Sequence, residues 1–258
     1  MNLTASFVQR NTLSGFAHAS YHSLQSKLER RFQSGFSLLS SYTWSHSIDN
    51  STDGEDNNNG PNFPQDSFNT NAEKASSAFD IGQRFVTSVV YDLPFGRAGG
   101  IYEGSKLVRA VLGGFEIGGI FVAQTGPPVN PDVAGNPANT TNPVRPNRLR
   151  DGNLSGSERD VDRWFDAAAF SVPAAFTYGN SGRNVLRAPG LVNLDFLVGR
   201  NFRLTETMHV ELRGEFFNLT NTAHFGKPNA TVGSPQFGHI TTTAVPNRQV
   251  QLGVRLAF

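Results

Sequence analysis

The sequence predicts an all-β chain: an antiparallel transmembrane β-barrel segment of about seven long meander strands, with long extracellular loops and short periplasmic turns. Three observations predict it. Apolar and polar residues alternate with period 2 in seven separate stretches, as in strands with one greasy face. Most stretches reach the about 9–11 residues a tilted strand needs to cross a bilayer, against about 5–6 for a soluble strand. Counted back from the last strand, the links between them run long, short, long, medium, long, short.

Strands are expected near residues 20–32, 36–48, 82–94, 115–126, 190–203, 207–219 and 247–258. In the first, "YHSLQSKLERRF", Leu24, Leu28 and Phe32 share a face, and Gln25, Lys27, Glu29 and Arg31 share the other. The three residues "QSG" then permit a tight turn. The second strand sets Phe36, Leu38, Tyr42, Trp44 and Ile48 against Ser37, Ser41, Thr43, Ser45 and Ser47. "DNSTDGEDNNNGPNFPQDSFNTN" is polar and turn-rich, hence a loop. The third strand groups Phe85, Thr87, Val89, Tyr91 and Leu93, and "GRAGGIYEGSKLVRAVLGG" leads onward with a helical turn at Lys106–Leu112. "FEIGGIFVAQTG" is the fourth strand, and Pro127 to about Leu186 a long connection. "LVNLDFLVGRNF" is the fifth, turned tightly by "RLTET" into the sixth, where Met208, Val210, Leu212 and Phe216 oppose His209, Glu211, Arg213 and Glu215. A loop over Thr220–Asn247 leads to the last strand, "RQVQLGVRLAF".

Period 2 alone fits both a sandwich packed inward and a barrel whose apolar face meets lipid. Strand length and the sorting of links favour the barrel. Long links all fall on one side if the final strand descends toward the periplasm, and a sandwich has no reason to sort them so. Phe258 then ends that strand at the inner interface, in an aromatic girdle, and Tyr42, Trp44, Tyr91, Phe95 and Phe202 serve similarly near other strand ends.

Composition sets further bounds. Twenty-two Lys and Arg face 21 Asp and Glu, so a net charge of +1 gives no nucleic-acid footprint. Cysteine is absent, which excludes disulfides and thiolate metal sites. No run of about 18 apolar residues makes a membrane helix, and "MNLTASFVQR" lacks the pattern of a signal peptide.

Catalysis finds no motif. The six histidines form no HExxH, and "GNSGR" around Ser181 is not GxSxG. Glu211, Arg213 and Glu215 read as a charge ladder in a wet lumen rather than an acid–base pair. Asp49, Asp53, Glu55 and Asp56 lack the EF-hand register and read as a solvated loop. No enzyme activity and no cofactor is expected. "RWFDAAAF" supplies the candidate substrate contacts Arg163, Trp164 and Phe165, although packing of the two rings on other loops is the favoured reading, since large aromatics are usually buried for their area.

Eight stretches carry a resemblance: "YHSLQSKLERRFQSGFSLLSSYTWSHSID", "QRFVTSVVYDLPFG", "GGFEIGGIFVAQTGPP", "WFDAAAFSVP", "GNSGRNVLRAPGLVNLDF", "RNFRL", "ELRGEFFNLTNTAHFGKPN" and "RQVQLGVRLAF". In this order they resemble the C-terminal part of a TonB-dependent outer-membrane receptor, of the Oar-like type with a carboxypeptidase-regulatory-like domain. The resemblance implies a plugged barrel of about 22 strands, of which residues 1–258 supply the C-terminal part without plug, TonB box or signal peptide. The barrel is therefore expected to be incomplete, since each unpaired edge group costs several kcal/mol in lipid. The implied activity is nutrient uptake of a metal chelate, an oligosaccharide or a peptide at the bacterial cell outer membrane. A structural or adhesive barrel, or a small pore without energised import, is the alternative. The implied partners are outer-membrane lipid, the barrel-assembly machinery, a small-molecule substrate and, only through the missing N-terminal part, the TonB complex. No nucleic acid is expected. Val250, Leu252, Val254, Leu256 and Phe258 match the terminal-strand signal that the assembly machinery reads.

Overall fold

A computed structural model of the chain describes residues 17–51, 64–95, 101, 111, 113–140 and 142–258. Seven long strands form its wall: β1 Ala19–Gln33, β2 Phe36–Asp49, β3 Gln83–Asp92, β4 Phe115–Gln124, β5 Leu191–Arg203, β6 His209–Phe217 and β7 Gln249–Ala257. Each pairs antiparallel with the next in chain order, giving an open meander with β1 and β7 at its edges. β1 and β7 both run from the end bearing the long links to the end bearing the short ones. The links over 50–82, 125–190 and 218–248 lie at the first end, and those over 34–35, 93–114 and 204–208 at the other.

The tight turns follow from local chemistry. Gln33 pairs with Phe36, so the first hairpin loop is two residues rather than three. Ser34 (φ 54°) and Gly35 (φ 79°) both take positive φ, the geometry that matches strand twist in a two-residue hairpin. A register shift between Arg30 and Gln33 absorbs the extra residue. At the next short turn, the Leu204 and Thr205 amides both donate to the Met208 carbonyl. The third strand ends at Asp92, one residue short of Leu93. The helical turn expected at Lys106–Leu112 lies, Val111 apart, outside the described residues.

Register sorts the side chains into two faces, because directly paired residues share a side. One face carries Leu24, Leu28, Leu38, Tyr42 and Trp44 on β1 and β2. It continues through Phe85, Val89 and Tyr91 to Ile117 and Phe121. Val192, Leu194, Phe196 and Val198 extend it, followed by Val210, Leu212 and Phe216 and then Val250, Leu252, Val254 and Leu256. The opposite face carries Lys27, Glu29, Ser41, Thr43, Arg84, Glu116, Asp195, Glu211, Arg213, Glu215 and Arg255, with a central apolar strip through Val86, Ile120, Val122 and Leu197.

No buried hydrophobic side chain among the described residues lies in β1–β7; all are in the links. Leu252 is 80% and Val254 76% exposed. A soluble sandwich would bury this continuous apolar face against a second sheet. Here it stands free across seven strands of 9 to 15 residues, the surface a hydrocarbon solvent would cover. Short-link-end aromatics on that face include Phe36 and Tyr91, edge to face at 5.9 Å, together with Phe115 and Phe202.

Candidate functional site

The ordered centre of the molecule is a layer of loops at the long-link end. Residues 125–190 and 218–248 contribute Val129, Phe165, Ala169, Phe170, Leu186, Ala188, Val232 and Phe237 to one dry cluster. The Phe237 ring lies 5.9 Å from Phe165 and 5.8 Å from Phe170. Each such large side chain contributes about 1.5–3 kcal/mol when fully buried, so these connections form a packed layer rather than solvated threads. Short pairings stitch it together: Pro128–Val129 with Leu186–Arg187, Asp132–Val133 with Thr231–Val232, and Asn147–Arg148 with Phe170–Ser171.

Buried charges fasten this layer to the wall. Asp49, at the end of β2, pairs with Arg183, which also donates to the Asp49 carbonyl at 2.8 Å and the Glu73 carbonyl at 3.0 Å. Glu73, in a 3-10 turn over Thr70–Glu73, accepts both arms of Arg145 at 2.6 and 3.0 Å. Arg145 Nε donates to the Ser181 carbonyl, and the Arg145 amide donates to Gln65 Oε1. A second anchor is Asp80, which accepts from the Ser47 amide at 2.8 Å and from Arg187 at 3.0 Å, with His46 Nδ1 at 3.4 Å. Asp49 and Ser47 both belong to the polar face of β2, so the layer is tied to the lumen side of the wall. Asp49 is thus a buried ion-pair partner, not part of a solvated acidic loop; Asp53, Glu55 and Asp56 lie outside the described residues.

The three candidates from "RWFDAAAF" separate. Phe165 is 1% exposed, in the loop core. Trp164 is half-buried: its indole N–H donates to the Arg187 carbonyl at 2.9 Å, and Arg159 lies over its ring at 5.4 Å. Arg163 is exposed. Trp164 also packs edge to face on Phe225 at 6.4 Å. Phe225 lines an open cleft of about 580 Å³ with Val161, Ile240, Thr241, Thr242 and Thr243, so two of the three long links, 125–190 and 218–248, contribute to it. The charge network was not legible in the sequence, because its pairs lie 72, 107 and 134 positions apart. The single local signal is Arg145 inside "NPVRPNR", a cation on a proline-stiffened segment.

Two loop carboxylates sit below the ordinary range. The Asn153 amide donates to Asp151, which holds its carboxyl down, with Arg148 assisting. The Ser155 hydroxyl, at 2.7 Å, does the same for Glu158. Among the described residues, no three His, Asp or Glu side chains gather as metal ligands.

Lower down, the lumen face carries Arg213 between Glu211 at 3.9 Å and Glu215 at 3.6 Å. The register sets Arg255 beside Glu211. Glu116, Asp195, Arg213 and Glu215 border a pocket of about 260 Å³ whose other lining includes Val90, Ile120 and Leu197. At the sheet edge, β7 pairs with β6 alone among the described residues. Its apolar row Val250, Leu252, Val254 and Leu256 is exposed, and so is Phe258.

A lipid-ready outer face, a charged inner face and folded loops at one end define the wall of a bacterial outer-membrane β-barrel. The chain belongs to the outer membrane beta barrel domain family, whose model matches residues 4–251. It resides in the bacterial outer membrane. No curated protein matches it.

Proposed function

We propose that this chain is the C-terminal part of a TonB-dependent receptor barrel of the Oar-like type, and that the completed barrel imports a scarce nutrient: a metal chelate, an oligosaccharide or a peptide. The observation that carries this reading is the fastened loop layer. Buried ion pairs fasten the layer to the wall, and Trp164, packed on the dry core, abuts Phe225 in a cleft at the outward end; binding needs such preorganised surface whereas a plain pore does not. Phe225, Thr242 and the exposed Arg163 at the outward surface are the first substrate contacts in this reading, with Trp164 setting the cleft's edge through Phe225. Coupling to the TonB complex runs through the N-terminal part of the receptor. The exposed row Val250, Leu252, Val254, Leu256 and Phe258 is the segment read by the barrel-assembly machinery, through pairing at the free edge of β7.

The test of import is deletion of the gene, followed by growth on ferric chelates, oligosaccharides and peptides as limiting sources, with and without an uncoupler. Loss of growth on one class, mimicked by the uncoupler, supports energised import. Unchanged growth on every class, or passage that survives the uncoupler, rejects it in favour of an adhesive barrel or an open pore.

A further inference from the structure

The lipid-facing rows of the seven strands contain two arginines, Arg30 and Arg200. Both stand three residues from the short-link end of their strand, β1 ending at Gln33 and β5 at Arg203. Both guanidinium groups are laid over aromatic rings. Arg30 lies 5.1 Å from the Phe36 centroid; Arg200 lies 4.8 Å from Phe115 and 4.2 Å from Phe202. Contact with two rings holds the Arg200 cation near the short-link end of the strand, at headgroup depth, where a planar fork matches a phosphate. Arg200 pairs directly with Phe115 on β4 and Leu212 on β6.

On the same two strands, nearer mid-membrane, Gly119 faces Val89 on one side and Phe196 on the other. Its missing side chain opens an apolar notch of about 260 Å³ lined by Thr87, Val89, Ile117, Phe121, Leu194 and Phe196. Four residues along β5 separate Arg200 from Phe196, or roughly 13 Å at about 3.3 Å per residue. Val198 and Ile117 pair midway and floor the path between them.

We propose that the outer wall binds one glycerophospholipid of the leaflet at the short-link end, its phosphate on Arg200 and one acyl chain seated in the Gly119 notch. The cation lies at the depth of a headgroup and the notch at the depth of a tail, in line on one strand pair. A free phosphate would use the first and gain nothing from the second. The inference rests on the orientation of the wall and not on what the barrel transports.

The test takes the protein as it occurs in its outer membrane, extracted in mild detergent and washed, with retained phospholipid per chain measured by phosphorus-31 NMR. Arg200→Gln is expected to lower retention about tenfold, a typical effect of removing a desolvated cation from a phosphate. Gly119→Leu fills the notch and is expected to lower it comparably. Should Gly119→Leu fail to reach the membrane, Gly119→Ala serves, since an added Cβ there meets only the Asp195 carbonyl at 3.4 Å; it should lower retention measurably. Arg255→Gln, on the lumen face at the same end, should leave retention unchanged. Equal retention in wild type and Arg200→Gln, an equal loss in Arg255→Gln, or full displacement by excess inorganic phosphate would each overturn the proposal.

Discussion

Glu73 and Arg145, 72 positions apart in sequence, meet in a two-armed ion pair with hydrogen bonds of 2.6 and 3.0 Å, and their side chains are 4% and 6% exposed. Removing one partner leaves the other charged and dry. Glu73→Ala or Arg145→Ala is therefore expected to cost the loop layer about 3–5 kcal/mol, read as accelerated protease cleavage of the outward links on intact cells. Replacing both with apolar residues of similar volume should restore much of the resistance, because a buried pair is itself worth little against good packing. Equal damage from single and double replacements would contradict this reading of the pair.

The two faces of β7 predict opposite responses to the same new charge. Leu252 is in the lipid-facing row and Gln251 in the lumen row. Leu252→Arg should destabilise the barrel by roughly 2–4 kcal/mol if it lies near the bilayer midplane, while Gln251→Arg should be close to neutral. The readout is the yield of heat-modifiable, membrane-inserted protein. A larger loss for Gln251→Arg would invert the assignment of faces.

Gly179 is tightly enclosed. A Cβ there would come within 2.1 Å of the Arg145 carbonyl oxygen and 2.4 Å of Pro146 backbone atoms. Because the obstacle is backbone, Gly179→Ala should cost about 1–3 kcal/mol as an overpacking change and loosen the Arg145 anchor with it. Gly156→Ala, in open space, should be neutral or stabilising. Protease resistance of the loop layer separates the two.

Deleting Phe258 probes the terminal strand. The expected outcome is reduced outer-membrane insertion with the rest of β7 intact, measured by fractionation and gel mobility. Unchanged insertion would reject a role for the terminal ring in assembly.

Acid should weaken the loop layer slightly. Asp151 and Glu158 both have carboxyl groups held below their ordinary range, by the Asn153 amide and the Ser155 hydroxyl respectively. A depressed folded pKa contributes stability that is complete above the unfolded value and is lost as pH falls through the folded one. Protease resistance at Leu149–Asp160 should therefore decline on the acid side of the carboxylate range, and Asp151→Asn should flatten that decline. The effect is small, because Asp151 is 65% exposed and screened by solvent.

The wall was legible because its information is local. Alternation in Leu24, Leu28 and Gln25, Lys27, or in Val250 to Leu256, needs no knowledge of the partner strand, and it placed each strand within two residues of its observed ends. The first turn was misread by one residue, since Gln33 extends the ladder once the bulge after Arg30 resets its phase. The loop layer was hidden for the opposite reason. Phe165, Phe170, Leu186 and Phe237 show no period, and they meet only because distant links fold onto one another. Asp49 in particular reads as the start of an acidic, hydrated run, and only the arrival of Arg183 from 134 positions away makes it an anchor.

The shared heading of β1 and β7 has an arithmetic consequence. A cylinder whose every seam is antiparallel has an even count of staves. Seven staves with like-directed borders need an odd complement from outside the seven to shut without a parallel seam. A second copy of the same seven, inserted with the same sidedness, cannot provide it, because both joints would then run parallel.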